Sequence, residues 1–163
     1  MSLCVLCAQK RVPCCINRDI LVTLGDVNRI AEHTGSDQFY QYRQPSSPKY
    51  IDQDDDPSWN LMTVQVDGSR RVLKNVGANL CYFLTSQGCR LPSTIRPLVC
   101  RLHPVEYSEA GITGFSDECP VEFLPETETL LDSLRMNLTE AEQWRSQLYE
   151  ELFQDFHKQK KAV

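Results

Sequence analysis

The sequence predicts an α+β fold: a small single domain with short helices, a β-hairpin, metal-stabilised cysteine-rich loops and a C-terminal helical segment. Three observations carry that expectation. Eight cysteines fall into two separate groups, short alternating apolar runs lie between and after them, and the C-terminal stretch repeats apolar residues at helical spacing. A chain of 163 residues suits one hydrophobic core. Within it, residues 1–124 read as a cysteine-cluster metal-binding domain and residues 125–163 as a helical extension packed on it.

Composition narrows the function classes. Hydrophobic residues make up 41%, charged residues 24%, and the formal charge is -5, so the basic surplus that a nucleic-acid partner requires is missing. No stretch approaches the roughly 20 apolar residues of a membrane span, and the first residues lack a charged region followed by an apolar one. A cytoplasmic protein without a membrane partner is expected. In that compartment thiols stay reduced, and clustered cysteines serve metals more often than disulfides. Asn137-Leu138-Thr139 fits a glycosylation sequon, but the tripeptide is too common to reverse that reading.

The first group comprises Cys4, Cys7, Cys14 and Cys15; the second comprises Cys81, Cys89, Cys100 and Cys119. All eight are candidate metal ligands. Cys4 and Cys7 have the two-residue gap that recurs in zinc and iron–sulfur sites, because a tight turn aims both sulfurs at one ion. Adjacent side chains such as Cys14 and Cys15 point to opposite sides where the backbone is extended. They can therefore serve two centres, or bend to grip one. The count admits two four-sulfur sites, or seven ligands with bridging while one thiol stays structural. Zinc and an iron–sulfur cluster both accept four thiolates, so the cofactor stays open between them.

Four thiolates on a divalent ion leave a charge of about -2 to be offset by nearby cations and donors. Lys10, Arg11, Arg18, Arg90, Arg96 and Arg101 lie close to cysteines in sequence; Arg96 and Arg101, flanking Cys100, are the stronger candidates. His103 reads as a supporting or packed histidine beside the thiols. A thioredoxin-like role for Cys4 and Cys7 would need a βαβ setting that the sequence does not offer. No catalytic residue is assigned.

The remaining elements follow in chain order. Thr23 and Asp26 form a capping box, and Leu24, Val27, Ile30 and Ala31 continue at helical spacing, predicting a helix over about 24–33. Residues 36–58 read as irregular, broken by Gln44-Pro45-Ser46-Ser47-Pro48. The acidic run Asp52, Asp54, Asp55 and Asp56 lacks the calcium-loop pattern and reads as solvated. Phe39, Tyr40 and Tyr42 pin this loop to the body. Residues 62–66 and 71–76, separated by Asp67-Gly68-Ser69, read as a hairpin. Cys81 to Leu84 reads as a strand turned by Ser86-Gln87-Gly88 into Cys89. One helix is expected from Pro125 to about Arg135, and a second from a Thr139–Glu142 capping box to about His157. Ala141, Trp144, Leu148, Leu152 and Phe156 form its apolar stripe.

Together these residues resemble the YkgJ-type cysteine-cluster family, described as a zinc- or iron-chelating domain. The resemblance runs from Cys4 to about Pro120. It rests on Cys4-x2-Cys7 with the Cys14-Cys15 pair, the Leu21 to Ala31 segment, Cys81 to Cys89, Arg96-Pro97-Leu98-Val99-Cys100-Arg101 and Cys119-Pro120. The gap before the cysteine pair is longer than usual in that family, and His103 stands where many members have an aromatic residue. The resemblance implies metal chelation by the cysteines, without a settled reaction. It also implies an alternative, an iron–sulfur enzyme or electron-transfer accessory component, because a similar cluster occurs in a flagellin lysine methylase group. The protein partner is not readable from the sequence.

Overall fold

The computed structural model describes residues 3–10, 13–51 and 55–162. Short helices and two-stranded antiparallel sheets alternate along the chain, an α+β arrangement in a small single domain. Arg11, Asp52 and Asp54 lie outside the described residues.

The chain begins with α1 (Leu3–Lys10), whose Leu3 is buried. It reaches α2 (Leu24–Thr34) where sequence placed it, because the Thr23 hydroxyl accepts from the Asp26 N–H and the Asp26 carboxylate accepts from the Thr23 N–H. This reciprocal cap satisfies two otherwise unpaired donors. Gly35, at φ 72°, ends the helix by returning its N–H to the Ala31 carbonyl, a left-handed geometry that favours glycine.

The expected hairpin between residues 62–66 and 71–76 is not formed. Met62 belongs to α3 (Pro57–Thr63), which Asp56 starts by accepting from the Trp59 N–H, with Pro57 at its first position. Pro57 suits a first helical turn and opposes a strand leading into 62–66. The turn itself is present, with the Gly68 N–H on the Gln65 carbonyl at 2.9 Å and the Ser69 N–H on the Asp67 carboxylate at 2.9 Å. Beyond it, β2 (Arg70–Leu73) pairs antiparallel with β1 (Tyr40–Arg43) from the segment expected to be irregular. Phe39 is buried while Tyr42 is exposed, so only part of the aromatic group anchors that segment.

Very short ladders follow: β3 (Asn75–Val76) with β4 (Leu80–Cys81), and β5 (Leu84–Thr85) with β6 (Gly88–Cys89). The expected Cys81–Leu84 strand is thus split in two, but its turn into Cys89 is found. After α4 (Leu98–Leu102) comes a longer hairpin, β7 (Val105–Ser108) with β8 (Gly111–Phe115), which the sequence reading missed.

In the C-terminal part, α5 (Leu130–Leu134) starts five residues after Pro125, at a reciprocal Thr129–Asp132 capping box. The final helix, α6 (Leu138–Lys161), is capped by Asn137, whose side chain accepts from the Glu140 N–H, rather than by Thr139. Its expected stripe is found: Ala141, Leu148 and Leu152 are buried and Trp144 and Phe156 pack beside them.

Two apolar clusters result. One gathers α6, α4, Leu21, Met62 and Val105. The other gathers Ile20, Val22, Val27, Ile30, Phe39 and Phe83 around the cysteine-bearing segments. Asp26, with no exposed surface, joins them: its carboxylate accepts from Leu98 N–H at 3.1 Å and from the Arg29 guanidinium at 2.7 Å. Arg29 also binds Glu151 of α6 at 2.6 Å. Asp155 of α6 accepts from the Leu24 N–H at 2.9 Å and from Arg71 at 3.0 Å. Asp56, read as part of a solvated run, is instead buried and accepts a hydrogen bond from the Tyr149 hydroxyl.

Candidate metal centre

The cysteines reach one place by local devices that spacing alone does not reveal. On α1, Cys4 and Cys7 are one helical turn apart and so share a face. Residues 13–17 then lie against the β3–β4 turn: the Asn17 N–H binds the Asn79 carbonyl and the Cys81 N–H binds the Cys15 carbonyl, both at 3.0 Å. Asn17 and Asn79 stand at φ 54° and 62°, a region asparagine tolerates better than most residues. These two contacts set the Cys14-Cys15 pair beside Cys81.

Cys89 is delivered by the β5–β6 hairpin. Gly88 stands at φ 88°, which requires glycine, and the Thr85 hydroxyl donates to its carbonyl at 2.8 Å. Cys100 rides on α4, whose first N–H is held by Asp26. Cys119 follows β8, where the Ser116 N–H binds the Pro104 carbonyl at 2.7 Å and Glu118 forms an ion pair with Arg18.

As a result, Cys4, Cys7, Cys14, Cys15, Cys81, Cys89, Cys100 and Cys119 all line a single cavity of about 220 Å³. His103, Arg18 and Arg96 line it too. None of the eight thiols is in a disulfide. Among the described residues, no group of three or more His, Cys, Asp or Glu side chains is arranged as it stands to hold a metal ion. Binding one would therefore draw sulfurs inward from the cavity wall.

The cavity's electrostatics vary around its wall. Burial pushes the Cys100 thiol well above its ordinary value and the Cys81 thiol up to about 11, although the backbone N–H groups of Phe83 and Leu84 donate to the Cys81 sulfur and oppose the shift. Burial also raises Cys4, against the opposing charge of Arg96. Cys14 is held low, foremost by its hydrogen bond with Cys15 and then, against burial, by His103; Cys15 is raised by the same Cys14 bond. For His103, burial favours the neutral ring, yet hydrogen bonds with Cys119 and Cys14 outweigh it and lift the imidazole to about 10. Its Nε2 stands 3.8 Å from the Cys119 sulfur.

Of the cations singled out in the sequence, Arg96 lines the cavity and donates to the Leu91 carbonyl at 3.1 Å. Arg101 acts indirectly, donating to the Arg96 carbonyl at 2.8 Å. Arg90 lies over the Tyr82 and Phe83 rings, 5.2 and 5.1 Å from their centroids, and Lys10 lies 5.1 Å over Phe123. Glu118 and Tyr50 also line the cavity. Neither was singled out, since Tyr50 comes from a segment with no recognisable pattern and Glu118 is marked only by its neighbour Cys119. Among known proteins, no family model matches this chain, and neither does any curated protein or solved structure. No described helix is long and apolar enough to cross a membrane.

Proposed function

We propose that this protein binds metal through its clustered cysteines, as zinc or as an iron–sulfur centre. The observation that carries the reading is the convergence of all eight cysteines, from both sequence groups, on one cavity. Chance burial scatters cysteines through a core, and free thiols behave there as small apolar groups. Gathering them on one wall, with His103, Arg18 and Arg96 beside them, suits a thiolate site whose negative charge needs cations and donors. The donor set fits zinc and iron equally well. Bound metal would supply crosslinks between segments that have little regular structure of their own, so metal binding and folding are coupled.

The resemblance to the YkgJ-type family belongs to this proposal, as do the cytoplasmic setting and the alternative of an iron–sulfur enzyme or electron-transfer component.

The test is anaerobic purification, with an ultraviolet–visible spectrum and analysis of zinc, iron and acid-labile sulfide on the same sample. Zinc without sulfide, or iron with matching sulfide, supports the reading and names the cofactor. Protein that is folded, reduced and free of both metals overturns it.

A further inference from the structure

We infer that the cysteines hold two metal centres, an inner one on Cys15, Cys81, Cys89 and Cys100 and an outer one on Cys4, Cys7, Cys14 and Cys119. This rests on the metal-binding reading above and adds the division of its ligands. The first observation is packing. Cys15, Cys81, Cys89 and Cys100 all belong to the apolar cluster around Phe39 and Phe83, whereas the other four cysteines do not. Cys4 and Cys14 keep more solvent-exposed surface than any of these four.

The second observation is what surrounds each set. Cations stand by the outer sulfurs: Arg96 acts on Cys4, and Arg18 and His103 act on Cys14. His103 also reaches Cys119 at 3.8 Å. The inner set has backbone donors, the Phe83 and Leu84 N–H groups on the Cys81 sulfur. Each set therefore has its own means of offsetting thiolate charge, side-chain cations at the solvent side and amides in the apolar cluster. The third is size. A water-sized occupant needs about 10–15 Å³, so a cavity of about 220 Å³ is far larger than a single ion requires. Finally, Cys14 and Cys15 occupy a turn closed by the Ile16 N–H on the Pro13 carbonyl at 3.0 Å, and only Cys15 of the two packs against the apolar cluster. The Cys15 carbonyl is fixed by Cys81 N–H at 3.0 Å, which keeps Cys15 inward while Cys14 remains exposed.

The test counts zinc plus iron per folded chain after anaerobic purification of the full-length protein and of Cys7→Ser/Cys119→Ser. That variant changes only outer cysteines. It is expected to stay folded with a twofold lower metal content than the wild type, and Cys81→Ser/Cys100→Ser is expected to lose the other half together with folded yield. A folded outer variant with no metal, or with the full wild-type content, overturns the division while leaving the metal-binding reading intact. Should the outer variant not fold, the metal of the wild type is removed in steps by a water-soluble chelator: loss in two phases of equal size supports the division, and loss in one phase overturns it. A wild type without metal overturns the reading underneath.

Discussion

The core beneath α6 and the wall of the cysteine cavity are built in contrasting ways. The first is organised by a helix of 24 residues with a continuous apolar stripe, so its backbone hydrogen bonds are internal and its stability comes from burial. The second is organised by ladders of two residues each and an eight-residue helix. Such pieces fix little backbone by themselves. What the difference teaches is where each region's geometry comes from. Around α6 it comes from periodic apolar side chains, and around the cavity from single hydrogen bonds at Asn17, Cys15 and Asp26.

Metal removal should separate the regions most. On the metal-binding reading, a structural site contributes of the order of 10 kcal/mol, so chelation should strip hydrogen-exchange protection from residues 80–89 while amides of 148–152 stay protected. Equal loss in both regions would break the comparison. Leu148→Ala attacks the other side: Leu148 has no exposed surface, and its truncation should cost about 4 kcal/mol in denaturant unfolding, with the metal content of the folded fraction unchanged. Asp26→Ala should cut across both. It leaves Arg29, Leu98 N–H and Thr23 N–H without their shared acceptor, which should cost about 3 kcal/mol and also lower metal content, because α4 carries Cys100. If stability falls and metal content does not, Asp26 is no link between the halves. The smallest effect belongs to Asn137→Ala, the loss of one helix cap, worth about 1 kcal/mol in the same unfolding measurement and nothing in metal content.

Much of the α6 side was legible because its signals are local. The Thr23–Asp26 capping box gave α2, and the Ala141 to Phe156 stripe gave the last helix. The starting points were less so: Asn137 and Thr129 compete with Thr139 and Pro125 as caps, and only packing decides which wins. The 62–76 hairpin failed for a related reason. Alternation in Met62 to Val66 suggested a strand, but Pro57 and the Asp56 cap start a helix that brings Trp59 and Met62 to α6, leaving Val64 and Val66 exposed. The true partner of β2, Tyr40–Arg43, is distant in sequence and carries no turn to announce it.

The candidate site shows the same division. The cysteines were visible as residues, and the bend at Cys14 and Cys15 was visible as one of two alternatives, the other being an extended pair pointing opposite ways. Their convergence was not, since it depends on the contacts of Asn17 with Asn79 and of Cys15 with Cys81, between segments far apart in the chain. Arg96 was found because it flanks Cys100. Arg18 was noticed for its nearness to Cys14 and Cys15, but its pairing with Glu118 has no sequence signature.

The central claim is that sulfur from these cysteines forms the metal's coordination shell. X-ray absorption at the edge of the metal carried by anaerobically purified protein tests it directly. The account predicts a shell dominated by sulfur at about 2.3 Å, diminished in Cys81→Ser/Cys100→Ser. A shell of oxygen and nitrogen at about 2.0–2.1 Å, unchanged in that variant, would contradict it.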